Sequence, residues 1–339
     1  MPPTTAREST LETFPWRADL PTRLRALLPF ATLAPSSHNA QPWRFVVADD
    51  HVDVHVELDR WLRVADADQR ELYVSIGCAL ENLLIAADEV GLRTRVGYFP
   101  DPDATTLAAR VQMEGAGGDH ARGGPLFAAI SRRRTVRERF RDEPPAPSQL
   151  GSLTSCGASD VHVVLSADPA VARRFDELTT RADALQFADP AWREELGEWI
   201  GRGVYGHGWL LSRMARLAVA HLNLGASSGR SDHALLSHTP VLGLIVTAGD
   251  TPLERVRAGQ TFERVWLLAE AGGLALHPMN QTLQIPASRE AVRTLIEGDL
   301  RAPQIAFRLG RPLATGDARS PRRPIDEVVD PPTTEPGPT

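Results

Sequence analysis

Two stretches of the chain share the sequence pattern of one buried helix. Residues 77–92 and 259–274 align in register, and each is an almost wholly apolar run that ends at a C-cap glycine. The identical pairs are Gly77 and Gly259, Glu81 and Glu263, Ala87 and Ala269, Gly91 and Gly273, and Leu92 and Leu274. A helix that is apolar nearly all round must be buried on most sides. We therefore predict two paired central helices related by an approximate twofold axis, as in a homodimer fused into one chain. The alternative is that two Leu- and Ala-rich helices match through composition alone.

A stiff polar loop, Ala34–Trp43, lies upstream of the first of these helices. It reads Ala-Pro-Ser-Ser-His-Asn-Ala-Gln-Pro-Trp and joins a predicted helix, Thr22–Leu33, to a predicted strand, Arg44–Val47. Proline fixes φ and removes an N–H donor, so this backbone has little freedom. Its Ser, Asn and Gln side chains can meet a planar ring that carries both carbonyl and N–H groups, with an ordinary polar turn as the alternative. The matching helix–strand region of the second half, 150–165, lacks the motif.

An arginine-rich segment, Ser131–Arg141, occurs only in the second half. It follows a short predicted helix that begins at Pro125, and Pro144 and Pro145 favour an extended segment over a further helix. A cluster of guanidinium groups can bind a phosphate, although arginines at a helix C-terminus also simply complement the helix dipole. Since one half supplies the polar loop and the other the cationic segment, the sequence indicates one ring- and phosphate-bearing cofactor held between the halves.

Three motifs, taken in this order, resemble the FMN site of the nitroreductase family. They are the polar loop, the Arg-Arg-Thr-x-Arg run of 133–137, and the segment 273–281, which begins Gly-Leu and ends Pro-Met-Asn-Gln. Their arrangement in one chain is similar to the single-chain, two-lobed Acg-like branch, and the resemblance runs from about Leu24 to Pro312. It implies an α+β fold of mixed sheets flanked by helices, an internally duplicated pseudo-dimer, and one FMN per chain.

The same resemblance implies which residues bind the cofactor. Those at the edge of the isoalloxazine, or supporting the loop there, are Pro35, Ser36, Ser37, Asn39 and Gln41. Those at the phosphate and ribityl chain are Arg133, Arg134, Thr135 and Arg137. Asn280 and Gln281 fall near flavin N5, and Arg308 and Arg311 belong to a basic strand that also meets the phosphate, with an exposed strand end as the alternative. Because the cofactor carries the redox chemistry, no catalytic acid, base or metal ligand is assigned.

The resemblance and the composition also give a domain organisation. We expect a poorly ordered N-terminal tail over 1–19, a first nitroreductase-like half over 20–123, a second over 124–313, and a Pro-rich C-terminal tail over 314–339, each tail wrapping the surface where it is not disordered. A lid-like insertion spans about 180–240, with apolar anchors at Trp192, Trp199, Tyr205 and Trp209. A plain helical excursion over the core is the alternative. Since the pseudo-dimer is internal, a monomer or a loose homo-oligomer is expected.

Composition narrows the function further. A net charge of -6 over 339 residues argues against a general nucleic-acid binder, and the absence of lysine excludes Schiff-base chemistry at that side chain. Cys78 and Cys156 form neither a CxxC pair nor a disulfide framework. With no run of membrane-spanning length and no secretion signal at 1–9, we expect a cytoplasmic protein.

Three short motifs point to other functions and lack the context that these functions require. The GxGxxG of 201–206 and the GxSxG of 225–229 both follow predicted helices, whereas a dinucleotide fingerprint and a nucleophile elbow each need a preceding strand. Histidine and acidic side chains alternate over 51–57 on one strand face. A solvated face is favoured there over a metal site.

The expected function is an FMN oxidoreductase that reduces a nitroaromatic, a quinone or a similar acceptor with electrons from NAD(P)H. Hydride would pass to flavin N5 and then to the acceptor in alternating half-reactions. The main alternative is a protein that stores FMN beneath a closed lid and turns over little or not at all. An Arg-rich regulatory module without cofactor is a third hypothesis, and it predicts a colourless protein.

Overall fold

The computed structural model describes residues 11–116, 123–204, 236, 238–295, 302–313 and 319–330. Nine strands are described, with bounds β1 Trp43–Val47, β2 His51–Val56, β3 Leu92–Tyr98, β4 Leu107–Ala116, β5 Val161–Ser166, β6 Val241–Thr247, β7 Ala275–Pro278, β8 Ala302–Gly310 and β9 Val329–Asp330. The described α-helices are α1 Leu20–Ala31, α2 Arg70–Glu89, α3 Pro125–Arg132, α4 Pro147–Thr154, α5 Pro169–Ala188, α6 Pro190–Gly201, α7 Pro252–Ala271, α8 Gln281–Gln284 and α9 Pro286–Arg293.

The strands form two sheets, one in each of two lobes, and we call residues 11–116 the first lobe and residues 123–313 the second, within the described ranges. The first-lobe sheet has the order β3-β4-β2-β1-β9 and is mixed, because β9 runs parallel to β1 while the other neighbours are antiparallel. The second-lobe sheet has the order β5-β6-β8-β7 with antiparallel neighbours, and Thr135 adds a parallel bridge to Leu276 at its β7 edge. The predicted α+β fold of sheets flanked by helices is confirmed.

The long helices α2 and α7 lie between the lobes and touch through their glycines. A Cβ placed on Gly77 would lie 2.9 Å from the Cα of Gly259, and one on Gly259 would lie 3.0 Å from the Cα of Gly77. The same two positions also abut the carbonyls of Val256 and Val74, respectively. Gly77 and Val74 occupy the same positions in α2 as Gly259 and Val256 occupy in α7, so each contact has its mirror partner. This reciprocity is what a twofold axis between duplicated halves requires.

The central helices join the two lobes into one hydrophobic core. Leu80 and Leu83 of α2 and Val265 and Trp266 of α7 are buried in the same cluster that includes the inner faces of both sheets. A second cluster lies where Phe175 of α5 packs against the other face of the second-lobe sheet. No helix in the described part of the chain is long and apolar enough to cross a membrane.

The segments expected to be tails or a lid are described only in part. Near the N-terminus, Phe14 is buried. The C-terminal residues 319–330 pack on the first lobe, where β9 extends its sheet. Of the insertion predicted over about 180–240, the end of α5 and all of α6 are described, whereas residues 205–235, with Tyr205, Trp209 and the GxSxG motif, lie outside the described residues.

The arginine-rich segment has the local structure that its prolines predict. Pro125 occupies the first turn of α3, which ends at Arg132, and the chain then continues without a further helix until α4. Thr135 and Val136 run beside β7, with the amide of Val136 donating to the carbonyl of Leu276 at 3.3 Å. This extended course carries the segment along the edge of the second-lobe sheet.

Candidate functional site

A cavity of about 440 Å³ lies between the lobes, a volume within the range of small-molecule sites. Both lobes contribute to its wall, and so does the segment 169–201, which holds α5 and α6 and which we call the α5–α6 insertion. Lining residues from the first lobe include Pro35, Ser36, Ser37, His38, Glu71, Ser75 and Cys78. Lining residues from the second lobe include Thr135, Arg137, Phe262, Trp266, His277, Asn280, Gln281 and Gln284. Of the thirteen predicted cofactor-binding residues, seven therefore meet in one cavity.

The polar loop reaches the cavity through a strained turn. His38, Asn39 and Gln41 have φ of 49°, 53° and 53°, in the left-handed region that L side chains rarely adopt. The turn is held by its own hydrogen bonds, since the amide of Gln41 donates to Ser36 Oγ at 2.9 Å and that of Asn39 to the Ser36 carbonyl at 2.9 Å. This geometry exposes one face of the loop to the cavity and turns the other away.

Asn39 and Gln41, both predicted to be at the flavin, lie on the face that is turned away. Both side chains are buried. The amide nitrogen of Asn39 donates to the carbonyls of Val204 at 2.7 Å and Pro321 at 3.0 Å. Gln41 Oε1 accepts from the amide of Arg323 at 2.9 Å. Their role in the structure is to connect the loop to its surroundings.

An acidic group, absent from the sequence prediction, lies beside the loop. Ser37 Oγ donates to Glu71 Oε2, while Glu71 Oε1 accepts from Arg70 Nη2 at 3.1 Å and from Gln284 Nε2 at 2.9 Å. Glu71 is itself buried, so Arg70, buried beside it, provides its countercharge. The one feature of the sequence that could have indicated Glu71 is its acidic side chain next to Arg70 at the start of an apolar helix.

Asp66 caps the helix that carries Glu71. Its two carboxylate oxygens accept from the amides of Glu71 and Leu72, both at 2.8 Å, which satisfies N–H groups at the start of α2. Burial, with the nearby Glu71 carboxylate as second cause, raises the pKa of Asp66 to about 8. The cap fixes the first turn of α2 and thereby the position of Glu71 in the cavity wall.

Arg133, predicted to bind a phosphate, instead lies behind the cavity wall. Its guanidinium is 4.4 Å from the ring centroid of Trp266, its Nε is 3.4 Å from Glu263 Oε1, and its Nη2 donates to the Leu33 carbonyl at 2.8 Å. Burial raises the pKa of Glu263 to about 7, with Arg133 opposing that shift. Arg133 thus supports the lining residue Trp266 and the start of the polar loop.

Arg308 also lies behind the cavity, where it fixes the tautomer of His277. Arg308 is fully buried, and its Nε donates to His277 Nδ1 at 3.1 Å while Nη2 donates to the carbonyls of Val136 at 3.0 Å and Glu138 at 2.7 Å. Because an arginine can only donate, His277 keeps its proton on Nε2. Burial, followed by the charges of Arg308 and Arg137, holds the pKa of His277 well below its usual range.

The end of the cavity near His277 is suited to an anion. Arg137 lines it and has no hydrogen-bond or ion-pair partner within the described part of the chain. Thr135 is beside it on the same extended segment, and His277 presents a neutral ring whose free proton is on Nε2. A guanidinium and two neutral donors together favour a phosphate or carboxylate.

The remaining predicted residues are divided between the cavity and its surroundings. Asn280 and Gln281 line the cavity, and Asn280 Oδ1 accepts from the amide of Ala306 at 3.0 Å, which fixes the side chain to β8. Arg134 does not line the cavity. Arg311 is exposed and donates to Gln149 Oε1 at 3.1 Å, so the structure places it away from the site.

The α5–α6 insertion forms one wall and is attached to the first lobe. Gln186 Nε2 donates to Gln284 Oε1 at 2.6 Å, and through Gln284 it is connected to Glu71. Glu195 of α6 accepts from the amides of Val64 at 3.0 Å and Ala65 at 2.8 Å. The lining residues Phe187 and Trp192 stack edge to face with centroids 4.9 Å apart. The insertion thus spans from the second lobe across the cavity to the first.

The twofold-related position is filled by larger side chains. In the register of the duplication, Ser75 and Cys78 correspond to Arg257 and Gln260, and Asn280 corresponds to Tyr98. Tyr98 OH donates to Gln260 Oε1 at 2.7 Å, and the Arg257 guanidinium lies 5.7 Å from the Tyr98 ring centroid. Gln260 Nε2 in turn donates to Glu81 Oε2 at 3.1 Å. Each of the three side chains, Tyr98, Gln260 and Arg257, is larger than the cavity residue to which it corresponds.

Comparison with known proteins identifies the family. No family model matches the chain. A Mycobacterium tuberculosis protein named as an NAD(P)H nitroreductase is 31% identical over 315 residues, which cover 91% of this chain and 91% of that protein. The chain belongs to the NAD(P)H nitroreductase family. Within that family it is similar to Acg of the same organism, at 29% identity over 319 residues, 90% of this chain and 94% of Acg. The resemblance proposed from the sequence motifs is confirmed.

Solved structures of lower similarity include the FMN-dependent nitroreductase NfnB from Mycobacterium smegmatis in complex with NADPH. It has 16% identity and a TM-score of 0.41, and the match covers 60% of this chain and 96% of that one. An oxidized iodotyrosine deiodinase bound to FMN and 3-iodo-L-tyrosine has 16% identity and a TM-score of 0.41, over 58% of this chain and 95% of that one.

Proposed function

We propose that the chain is an FMN-binding oxidoreductase that takes electrons from NAD(P)H and reduces a nitroaromatic, a quinone or a similar acceptor. The observation that carries this proposal is the cavity that joins the polar loop of the first lobe to Arg137 of the second. FMN, when bound, supplies the hydride-accepting and hydride-donating chemistry. The protein supplies the binding, the orientation and the exclusion of water.

The residues present fit such a cofactor. Arg137, unpaired within the described residues, offers a charge for a phosphate, with Thr135 and His277 as neighbouring donors. Pro35, Ser36 and Ser37 offer a polar edge on the opposite lobe for a ring with carbonyl and N–H groups, and Asn280 and Gln281 lie nearby. Phe262 and Trp266 supply an apolar, planar portion of the wall.

The geometry favours one FMN per chain. The twofold-related position is filled by Tyr98, Gln260 and Arg257, whereas the cavity position has Asn280, Cys78 and Ser75. Titration of the protein with FMN, followed by flavin fluorescence quenching, is expected to saturate at one equivalent. Saturation at two equivalents would contradict the single site.

The visible spectrum of purified protein tests the cofactor proposal. We expect flavin bands in the blue and near-ultraviolet, either as isolated or after FMN is added and excess is removed. Anaerobic mixing with NADPH or NADH is then expected to bleach the flavin band, and a quinone added afterwards to restore it. A protein that stays colourless after FMN addition would exclude both this function and FMN storage, and would favour an Arg-rich module without cofactor.

A second function, storage of FMN with little turnover, is favoured by the attachment of the insertion. Glu195 accepts two first-lobe amide protons, and the Arg60 guanidinium lies 5.4 Å from the Trp199 ring centroid, so α6 is attached to the first lobe by two kinds of contact. An insertion that stays attached would keep a nicotinamide from stacking on the ring. Flavin that is retained but not bleached by either nucleotide over minutes would support storage and contradict turnover.

A further inference from the structure

The C-terminal residues 319–330, which we call the strap, return from the second lobe to the first and end in its sheet. Val329 and Asp330 pair in parallel with Phe45 and Val46 of β1, and the amide of Phe45 donates to the carbonyl of Val328 at 2.8 Å. Val328 and Val329 are buried. The strap is therefore docked by main-chain pairing and by apolar burial, and the polar loop lies immediately before β1 in the chain.

Arg322 of the strap binds the polar loop at its start and near its middle. Its Nη2 donates to the carbonyls of Leu33 at 2.9 Å and Ala34 at 3.1 Å, where the loop begins. Its Nη1 donates to Asn39 Oδ1 at 3.1 Å, beyond the cavity-facing serines. One guanidinium thus bridges the two sides of the turn that presents Ser36 and Ser37 to the cavity.

Arg323 and the backbone of the strap bind the remaining polar groups of the turn. The backbone amide of Arg323 donates to Gln41 Oε1 at 2.9 Å, and the side-chain Nη1 of Arg323 donates to the Gln41 carbonyl at 3.2 Å. The Asn39 side chain donates back to the Pro321 carbonyl at 3.0 Å. The two amide side chains that the sequence motif predicts at the ring are thereby used to bind the strap.

These hydrogen bonds from the strap stabilise the strained turn. His38, Asn39 and Gln41 all have positive φ, and non-glycine residues persist there only when the surrounding structure holds them. Gln41 also donates through its amide to Ser36 Oγ, so the orientation of a lining hydroxyl depends on the same turn. The Leu33 carbonyl, which accepts from Arg322, accepts from Arg133 as well.

We propose that Arg322 and Arg323 are positioning residues for the ligand site, and that docking of the strap and binding of the cofactor stabilise each other. The strap holds the loop in the conformation that offers Ser36 and Ser37, and a ligand on those hydroxyls stabilises the same conformation. By linkage, the two events share one coupling free energy. The identity of the ligand as FMN rests on the proposed function.

The test compares Arg322→Met, Arg322→Lys and Arg25→Met with the wild-type full-length chain. Arg25 is the matched control, because its ion pair with Asp326 at 2.8 Å also joins the strap to the first lobe, yet it is exposed and does not touch the loop. One readout is hydrogen exchange of the loop amides without cofactor. The amides of Asn39, Ala40 and Gln41 each donate at 2.9 Å within the turn and report on it directly. The other readout is FMN affinity.

We expect Arg322→Met to speed exchange of these amides and to weaken FMN binding by about tenfold or more, since several hydrogen bonds from a charged donor are lost. Arg322→Lys should give intermediate values for both, and it carries the test if circular dichroism shows that Arg322→Met does not fold. Arg25→Met should match wild type. Unchanged exchange, or faster exchange with unchanged FMN affinity, would overturn the proposal. Wild-type protein that binds no FMN would refute the proposed function, while the exchange data would still decide whether the strap holds the loop.

Discussion

Arg308 and Arg133 lie one layer behind the cavity, where each acts on a lining residue. Arg308 fixes the proton of His277 on Nε2, and Arg133 lies over the ring of Trp266 while pairing with Glu263. Both are at most 6% exposed, so neither can be reached by a ligand without rearrangement. At the scale of residues, Arg137 is therefore the one predicted arginine that lines the described cavity, Arg133 and Arg308 support lining residues, and Arg134 and Arg311 lie outside the lining.

Loss of the His277 side chain should weaken binding of FMN but not of riboflavin. If Nε2–H of His277 donates to the phosphate, His277→Ala removes one hydrogen bond to a charged acceptor, and FMN affinity should fall by about tenfold. Riboflavin lacks the phosphate and serves as the ligand control, while Arg293→Ala, at an exposed pair with Glu290, is the matched variant. Equal weakening of both ligands, measured by fluorescence titration, would place His277 away from the phosphate.

Glu263 should make stability fall as the pH rises. Its folded pKa is raised from 4.5 to about 7, so the native state holds a proton that the unfolded state has lost over that range. The free energy of unfolding should thus decline between about pH 4.5 and 7, by on the order of 3 kcal/mol, and Glu263→Gln should remove this decline. Urea unfolding at several pH values measures it. Parallel pH profiles for wild type and variant would contradict the prediction.

The α5–α6 insertion is the element that decides access to the cavity. It contributes lining residues such as Gln186 and Trp192, and it reaches the first lobe through Glu195 and Trp199. Trp199 contacts two guanidinium groups, with Arg60 at 5.4 Å and Arg202 at 4.4 Å from its ring centroid. An apolar cluster in which Trp199 is buried with Leu62 and Ala65 adds to the hydrogen bonds that Glu195 accepts. Glu195 does not line the cavity, so a substitution there weakens the polar part of the attachment without touching the cavity.

Weakening this attachment should speed ligand exchange. Glu195→Gln keeps the shape of the side chain but removes the charge that accepts from Val64 and Ala65, so we expect release of FMN to become about tenfold faster. Glu194→Gln, the same change at the adjacent exposed position, is the control. Release is followed by transfer of flavin to an apo-flavoprotein acceptor. Equal release rates in the two variants would mean that α6 does not limit access.

The whole molecule is organised around the close contact of α2 and α7. Gly77 and Gly259 let the two helix backbones approach within a distance at which any Cβ would collide with a carbonyl of the facing helix. Since both sheets pack against this pair, the contact sets the relative position of the lobes. The cavity, whose wall takes Cys78 from α2 and Phe262 from α7, depends on that position.

A methyl group at this contact should destabilise the entire fold. Gly259→Ala places a Cβ against the Val74 backbone, which cannot move as a side-chain end could, so we expect a loss of about 2 to 3 kcal/mol in the free energy of unfolding. Gly151→Ala is the matched control, because the Cβ meets nothing within 4 Å on the exposed face of α4. That change should be neutral or stabilise by up to about 1 kcal/mol through helix propensity. Similar denaturant midpoints for both variants would contradict the role of the contact.

The sequence allowed the α+β fold and the family to be predicted, and it also indicates a duplication, because each of these leaves a local pattern in the chain. Apolar periodicity and C-cap glycines occur in both 77–92 and 259–274. A polar loop bounded by prolines can be recognised from its own residues, because the prolines stiffen its backbone locally. The local motifs also brought Ser37, Thr135 and Arg137 to one cavity. By contrast, Glu71 lines the same cavity and belongs to none of the motifs, while His38 and His277 lie inside motifs but were not predicted as site residues.

What only the tertiary structure decided is which side of each motif faces the ligand. Asn39 and Gln41 are motif residues, yet they bind a strap that lies nearly three hundred residues away in the chain, as in the contact of Gln41 with Arg323. Arg308 similarly binds the carbonyl of Val136 across the second lobe. A sequence by itself determines which segments are stiff, apolar or charged, because these properties are local. The direction of a side chain in a turn depends on partners brought close by the packing of both lobes, and no local pattern contains them.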